Sequence, residues 1–315
     1  MRRLSAPLLA VIALLLLYAA PGTSHAADNG EWSVEPAASA LGGRPYFYLS
    51  ADPGTRLTDK VTVTNKTAAP LTFRLYAADA YNTARDGGFA VRTQDERQGG
   101  VGAWAKPERD RVTVPARSSV TVPYTLTVPE NAEPGDHPGA LVALDERVAA
   151  GSGSVAVGVR RAVGARVYLR VNGPTMAALS VEDVTYAPDT PLVPGAGDSS
   201  ALVSYTLHNR GNVTLNPKVA LRAEGLFGRT LLARELKRIP GELLPRQKIR
   251  LTERWAGAPQ LDWGEVTLTA SARDVRESGA VSFFALPWLV AIVLLTGGAG
   301  AFVWLRLRAR TARGT

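Results

Sequence analysis

The sequence has no cysteine and only three histidines among its 315 residues. The lack of cysteine excludes disulfides, thiolate metal sites and cysteine nucleophiles, so any folded region has to be held together by its own hydrophobic core. Two of the histidines, His137 and His208, lie beyond the N-terminal apolar segment. Neither has a second histidine at the spacing of a metal-binding pair, so we expect no metal site and no cofactor.

Motifs that mark catalytic sites are also missing from the sequence. There is no Gly-x-Ser-x-Gly nucleophile elbow, no phosphate-binding loop and no dinucleotide-binding fingerprint. The adjacent carboxylates at 95–96 and 145–146 would point to opposite faces of a strand, which makes them poor acid–base pairs. The sequence therefore predicts that the protein is not an enzyme. A surface hydrolase whose triad uses His137 or His208 remains an alternative, because triads assemble in space rather than at fixed spacings.

Positive charge exceeds negative charge, and most of this excess lies at the two ends of the chain. The formal net charge is +8 and the pI is about 9.9, which would suggest nucleic acid or anionic lipid as a partner. The terminal arginines are Arg2, Arg3, Arg306, Arg308, Arg310 and Arg313. The remainder of the chain is nearly neutral, so we expect no nucleic-acid partner.

The N-terminus has the three parts of a secretory signal peptide. Arg2 and Arg3 precede an apolar run at 8–20, and the small residues Ser24 and Ala26 follow it. This order predicts a signal peptide at 1–26 that is cleaved after Ala26.

A second apolar run, at 283–305, contains no charged residue. As a helix this run would be about 34 Å long at ~1.5 Å per residue, and the hydrocarbon core of a bilayer is about 30 Å thick. We therefore predict a membrane-spanning helix at 283–305 and a basic cytoplasmic tail at 306–315. This is the arrangement of a single-pass type I protein of the plasma membrane whose bulk is extracellular. The residues expected to anchor the span are Trp288, Trp304, Arg306, Arg308 and Arg310.

Between these segments, short stretches of alternating apolar and polar residues are separated by turn residues. Examples are 61–64, 71–76 and 120–128 in the first half, and 203–207 and 266–270 in the second. Alternation is typical of strands with one buried face, and short, evenly spaced strands indicate β-sandwiches. The pattern starts again after Asn172-Gly173-Pro174. The sequence therefore predicts an all-β fold of two tandem immunoglobulin-like β-sandwiches, at 27–172 and 173–280.

Aromatic side chains are the main candidates for binding. Tyr46 and Tyr48 would lie on the same face of an extended segment, where a pair of rings can stack on a sugar. The candidate ligand-binding residues of the first half are Trp32, Tyr46, Tyr48 and Trp104. In the second half, Trp255 and Trp263 flank the loop at 256–262 and are candidates for a partner-binding surface. The alternative for any one of these rings is that it fills a sandwich core.

Several short motifs resemble those of one bacterial family. They are Trp32-Ser-Val-Glu-Pro36, Tyr46-Phe-Tyr-Leu-Ser50, Asp52-Pro-Gly54, Val61-Thr-Val-Thr-Asn-Lys66 and Val114-Pro-Ala-Arg-Ser118. In these motifs the chain resembles the WxL-interacting protein family of Gram-positive bacteria. The resemblance implies a first domain that binds peptidoglycan, a second that binds a host ligand or surface protein, a C-terminal membrane anchor and no catalytic residues. The abundance of Arg, Ala and Gly further indicates a GC-rich genome, as in actinobacteria.

Two functions are consistent with these observations. The first is a non-catalytic, membrane-anchored cell-surface protein. It would bind cell-wall peptidoglycan or glycan through its first sandwich and another surface protein or host ligand through its second. The alternative is a chaperone-like or accessory component of a surface-protein or pilus assembly system, in which an exposed sheet edge accepts a strand from a client protein.

Overall fold

The computed structural model describes residues 27–39, 42–148, 158–191, 193, 195–285 and 288–311. The predicted signal peptide at 1–26, with its cleavage site after Ala26, lies outside these residues. Strands make up most of the described chain, and the all-β prediction is confirmed.

The strands of the first half form two sheets. One sheet has the order β1-β3-β8-β6, and the other has the order β2-β10-β9-β4-β5, with β7 also paired to β4. The strands are β1 (Trp32–Pro36), β2 (Phe47–Ala51), β3 (Arg56–Asn65), β4 (Leu71–Asn82), β5 (Phe89–Val91), β6 (Ala105–Pro107), β7 (Arg111–Val114), β8 (Ser118–Thr127), β9 (Gly135–Asp145) and β10 (Ala162–Val171). A single-turn helix, α1 (Val101–Trp104), precedes β6. The pairing of β2 with β10 is parallel, whereas the other pairings are antiparallel.

The alternation of the sequence explains how these two sheets pack. In β3, Val61 and Val63 are buried, while Thr62 and Thr64 point outwards and pair with hydroxyl groups of β8 at 3.0 and 2.8 Å. Both sheets contribute to one hydrophobic core. Its aromatic contacts include Trp32 with Phe73, whose ring centroids are 5.3 Å apart.

The second half repeats this plan with a different strand order. Its sheets have the orders β11-β12-β15 and β14-β13-β16-β17. The strands are β11 (Leu179–Asp189), β12 (Ser200–Asn209), β13 (Lys218–Glu224), β14 (Thr230–Glu235), β15 (Lys248–Ala256), β16 (Asp262–Ala272) and β17 (Val275–Ala285), with a 3-10 turn at Leu226–Gly228. A second core, distinct from the first, fills the space between these sheets.

A buried asparagine closes a strand in each half. Asn65 ends β3, and its amide donates hydrogen bonds to the carbonyls of Ala69, Val114 and Pro115 at 2.8 to 3.1 Å. Asn209 ends β12, and its amide donates to the carbonyls of Val213 and Leu243. Because each side chain satisfies carbonyls that the turn would otherwise bury unpaired, these asparagines stabilise the turns that follow them.

The C-terminal apolar run is divided between a strand and a helix. β17 extends to Ala285, and Phe283, the first residue of the predicted span, is buried and pairs with Gly264. Helix α2 (Trp288–Thr311) follows. None of the helices in the described part of the chain combines the length and the apolar character that a membrane crossing requires. The predicted span at 283–305, and with it the single-pass plasma-membrane assignment, is therefore wrong.

The residues predicted to anchor that span lie on α2. Trp304 is exposed, and the guanidinium of Arg308 lies 4.7 Å from the centroid of its ring. Arg306 makes a similar contact with Phe302 at 5.2 Å. Trp288 and Arg310 fall within the bounds of the helix.

Candidate functional site

Strand β10 is paired on both sides along only half of its length. On one side, β9 pairs with it from Ala162 to Val171. On the other side, β2 pairs only with Val167–Val171. Among the described strands, none is hydrogen-bonded to the second side of residues 162–166, although β1 passes close to the start of β10. We call this stretch the open edge.

Two hydrogen bonds show which backbone groups of β10 point towards the open edge. The N–H of Asp145, which belongs to β9, donates to the carbonyl of Arg161 at 2.9 Å, so Arg161 faces β9. The N–H of Asn172 donates to the carbonyl of Ala51 at 2.9 Å, so Asn172 faces β2. Backbone groups alternate in direction along a strand that pairs without a bulge. The N–H and C=O groups of Ala162 and Gly164 therefore point to the open edge.

The two residues whose backbone groups point to the open edge are small, whereas Arg166 at the end of the edge has a long side chain that hydrogen-bonds to Tyr168. Val163 and Ala165 point into the core and are buried, whereas Ala162 is exposed. Gly164 lies on the outer face, where a Cβ atom would come within 3.1 Å of Val142 Cγ2. At Ala162 and Gly164, the backbone is therefore accessible to another strand without a bulky side chain of its own in the way.

A charged cluster lies at the start of the open edge. The guanidinium of Arg161 donates two hydrogen bonds to the carboxylate of Glu31, at 2.6 and 2.7 Å, and lies 5.2 Å from the centroid of the Trp32 ring. Arg147 donates to the same carboxylate at 3.2 Å. The hydrogen bond from Arg161 lowers the pKa of Glu31. These contacts join the residue that precedes β1 to the residue that precedes β10.

Three tyrosines lie at the other end of the open edge, and we call them the tyrosine platform. Tyr48 and Tyr168 are neighbours on β2 and β10, and their rings stack with centroids 5.3 Å apart and an interplanar angle of 12°. Tyr46 meets both rings edge-on, at 6.0 and 5.6 Å. Tyr48 is 68% exposed, so one face of the stack is open to solvent.

The tyrosine platform borders the junction between the two sandwiches. The hydroxyl of Tyr168 donates to the carboxylate of Glu242, in the second sandwich, at 2.8 Å. Burial, reinforced by this hydrogen bond, raises the pKa of Tyr168 to about 12, so the hydroxyl stays protonated and remains a donor. The guanidinium of Arg166 donates to the hydroxyl oxygen of Tyr168 at 3.0 Å and lies 4.2 Å from the centroid of Phe89.

Other polar groups fix the same junction. Asp136 accepts hydrogen bonds from Arg170 and from the backbone N–H of Thr214, both at 2.7 Å. Asn82, at the end of β4 on the other side of β9, is buried. Its side-chain NH2 group donates to the carbonyl of Glu242, and its side-chain oxygen accepts from the N–H of Leu244. Since both side chains bridge the two sandwiches, the junction is a polar but well-satisfied interface.

A cavity of about 510 Å³ opens between the sandwiches beside the tyrosine platform. Tyr48 and Tyr168 form one wall, and Glu242 and Arg273 of the second sandwich lie across from them. Its volume falls within the roughly 300–1,000 Å³ of typical ligand pockets. A second cavity, of about 500 Å³, lies on the other side of Asp136 and is bordered by Trp104 and His137.

The aromatic residues selected from the sequence occupy very different environments. Trp32 and Trp255 lie in the two cores, where 0% and 4% of their surface is exposed. Trp104 is half-buried, with its ring 4.7 Å from that of His137. Trp263 is 54% exposed on the outer face of the second sandwich, opposite Phe284 in the register. Only Tyr46 and Tyr48 come together, in the tyrosine platform.

The two histidines lie in separate sandwiches. The Nε2 atom of His137 is 2.8 Å from the carbonyl oxygen of Glu133. His208 lies on the outer face of β12, with Nδ1 3.0 Å from the carboxylate of Glu182. Each ring is thus held by a local structural contact.

Sequence reasoning missed Tyr168, Glu242 and the open edge itself. Tyr168 lies in β10, but nothing local in the sequence shows that its partner is Tyr48, 120 residues earlier in the chain. The one available signal was Gly164, because a glycine inside a strand often marks a place where another backbone approaches.

No family model matches this chain, and no curated protein matches it. It is similar in structure to several solved pilus chaperones. One is the chaperone–tip adhesin complex of CFA/I fimbriae, with 8% identity, coverage of 81% of this chain and 99% of that chain, and a TM-score of 0.38. Another is the CupB2 chaperone of Pseudomonas aeruginosa, with 10% identity, 75% and 96% coverage, and a TM-score of 0.32. A third is the CsuC-CsuE complex of Acinetobacter baumannii, with 12% identity, 75% and 94% coverage, and a TM-score of 0.35.

The assignment to the WxL-interacting family is wrong. No family model matches the chain, so the match to that family suggested by the motifs is not found. The motifs that suggested the family are common strand and turn patterns: Asp52-Pro-Gly54 forms the turn between β2 and β3, and 61–65 is the end of β3. The peptidoglycan-binding role came from that assignment and is withdrawn with it.

Proposed function

We propose that this chain is a non-catalytic binding protein that captures a client surface protein by β-strand addition at the open edge of β10. It would act as a chaperone-like or accessory component in the assembly of surface or pilus-type structures. Both halves are taken to be immunoglobulin-like sandwiches, in which strand addition at a sheet edge is a known mode of peptide recognition. The observation that carries the proposal is the unpaired side of residues 162–166.

The chemistry of the edge suits an extended peptide. Ala162 and Gly164 each direct one N–H and one C=O outwards, and none of the described residues pairs with these groups. A client strand would replace water with main-chain hydrogen bonds, each with a net value of about 0.5–1.5 kcal/mol. Exposed edges are normally protected by charge, proline or a covering element. Arg161 and Arg166 flank this edge, but the two residues between them whose backbone groups face outwards are Ala162 and Gly164, which suits them to pairing.

In two of the three solved structures named above, the chaperone is in complex with a tip adhesin or tip adhesion subunit. The proposal rests on the geometry of β10.

Substitution of Ala162 tests the proposal with a matched control. The Ala162→Pro variant loses an N–H that points to the open edge, whereas the Ala162→Val variant keeps it and retains a strand-forming residue. The probe is the fluorescein-labelled peptide Lys-Thr-Val-Thr-Val-Thr-Val-Lys, and its binding to the full chain is measured by fluorescence anisotropy. We expect Ala162→Pro to weaken binding by roughly tenfold, or ~1.4 kcal/mol, and Ala162→Val to leave it within about twofold. Equal binding by both variants would contradict strand addition at β10.

A further inference from the structure

We infer that the client segment that pairs with β10 continues into a proline-containing stretch that docks on the tyrosine platform. This inference rests on the proposed function and specifies the kind of sequence that the site selects. The occupant is therefore an extended polypeptide in which a short strand is followed or preceded by proline.

The length of the open edge is the first observation behind this inference. From Val167 onwards, β2 takes the place beside β10, in the register Val167 to Phe47. A client strand that pairs with Ala162 and Gly164 has to leave the sheet at this point. A residue that leaves a sheet loses the acceptor for its N–H, and proline has no N–H to lose.

The position of the tyrosine platform is the second observation. Tyr48 and Tyr168 lie side by side at the point where β2 begins, so a departing client meets them first. Aromatic-lined grooves are the usual docking sites of polyproline II segments, because flat rings stack against pyrrolidine rings and the extended backbone is already ordered. The exposed face of Tyr48 offers such a surface.

The platform is held rigid, which favours binding of a preformed segment. Tyr168 is fixed by its hydrogen bonds to Glu242 and Arg166, and Arg166 also lies 5.7 Å from the centroid of Tyr46. Tyr46 in turn abuts Tyr48 edge-on. Because these side chains are already ordered, little conformational entropy is lost when a ligand stacks on them.

The adjoining cavity provides a donor for the carbonyls of a bound peptide. Arg273 borders the cavity, is exposed, and makes no hydrogen bond or ion pair with any residue in the described part of the chain. A polyproline II segment leaves its carbonyls unpaired, and a guanidinium can donate to them. The aromatic wall and this donor thus face the same space from the two sandwiches.

A glycan is the other class of ligand that tyrosine rings can stack on. A polypeptide is favoured here because the tyrosine platform begins where the open edge ends: Tyr168 lies two residues beyond Arg166 on β10. A client already bound through its backbone would reach Tyr48 without any additional anchoring.

The experiment compares labelled peptides on the full chain. All share the Thr-Val core of the probe, and they carry Pro-Pro, Ala-Ala or Gly-Gly at one end or the other. The Tyr48→Ala variant removes the exposed ring, Tyr48→Phe keeps it, and Trp263→Ala removes another exposed ring from the far sandwich. Chitotetraose is titrated in parallel as the glycan probe.

We expect a Pro-Pro extension at one end to tighten binding by roughly fivefold or more over Ala-Ala. The advantage should vanish in Tyr48→Ala and persist in Tyr48→Phe and Trp263→Ala, while the Ala-Ala peptide binds all four proteins equally. Equal binding of the Pro-Pro and Ala-Ala peptides would overturn the inference, and so would binding of chitotetraose that depends on Tyr48 without any proline advantage. If the Ala-Ala peptide binds the parent protein but not Ala162→Pro, the proposed function is still supported. Failure of the proline inference can therefore be told apart from failure of the proposed function.

Discussion

The hydroxyl of Tyr168 donates a hydrogen bond of 2.8 Å to the carboxylate of Glu242, and this contact joins the strand with the open edge to the second sandwich. Tyr168 also stacks on Tyr48, so one side chain is shared by the tyrosine platform, by β10 and by the junction. The arrangement of the two sandwiches and the shape of the candidate site are therefore coupled.

Removal of this hydroxyl should weaken the whole molecule. In the Tyr168→Phe variant, Glu242 loses its closest donor while the ring stack on Tyr48 is kept. We expect the free energy of unfolding to fall by about 1–2 kcal/mol, as measured by urea denaturation. The control is Tyr48→Phe, which removes an exposed hydroxyl and should change stability by less than about 0.5 kcal/mol. Equal losses in the two variants would contradict a structural role for the Tyr168–Glu242 hydrogen bond.

The buried amide of Asn65 should be more costly to remove. In Asn65→Ala, the carbonyls of Val114 and Pro115 lose their donor inside the first sandwich. Because each buried unsatisfied group costs about 1–3 kcal/mol, we expect a loss of about 3 kcal/mol. Asn131, which is exposed in a loop, is the matched control and should lose little on replacement by alanine. Thermal unfolding of the two variants provides the comparison.

Two tryptophans that the sequence offers as binding candidates, Trp32 for a ligand and Trp263 for a partner, should respond differently to truncation. Trp32 is fully buried, so Trp32→Ala should cost about 3–5 kcal/mol through the cavity it leaves. Trp263 is more than half exposed, and Trp263→Ala should stay within about 0.5 kcal/mol. Denaturant unfolding of both variants measures this difference. A large loss for Trp263→Ala would show that its ring is covered in solution.

The acid sensitivity of the second sandwich should depend on Glu182. The hydrogen bond with His208 is the main cause that holds the pKa of this carboxyl well below its usual range. Further donors to the same carboxylate are Ser180, Lys248 and Arg210. A carboxyl with a depressed pKa in the folded state adds stability above its unfolded value of about 4.3, and this stability is lost as the pH falls below that value.

The Glu182→Gln variant should therefore show a shallower loss of stability between about pH 5 and pH 2 than the parent protein. Glu277 is the control, since it is exposed and makes no hydrogen bond or ion pair within the described ranges. Denaturant unfolding at a series of pH values is the measurement. If Glu182→Gln and Glu277→Gln gave the same acid slope, the network around Glu182 would not stabilise the folded state.

Local patterns were sufficient to predict the strands, but not their neighbours. The alternation at 61–64, 71–76 and 120–128 falls within β3, β4 and β8, apart from the last residue of the third stretch, because one-sided burial leaves a period of two in the sequence. The parallel pairing of β2 with β10 leaves no comparable pattern in the sequence. It joins segments 120 residues apart, and it decides where the open edge ends.

The same limit explains the aromatic residues and the C-terminal run. Trp32 and Tyr48 both lie in strands, and only the position of the opposing sheet decides that one ring is buried and the other exposed. The apolar run at 283–305 is continuous in sequence, yet its first residues complete β17. Since buried strands and apolar helices use the same residue types, composition could not show where one ended and the other began.

Amide hydrogen exchange along β10 tests the central claim most directly. The N–H groups of Ala162 and Gly164 point to the open edge, whereas the N–H of Ala165 points to β9. With saturating probe peptide, strand addition predicts that exchange slows by tenfold or more at Ala162 and Gly164 and stays unchanged at Ala165. If the peptide binds but Ala162 and Gly164 exchange as fast as before, the client is not added to β10 and the account is wrong.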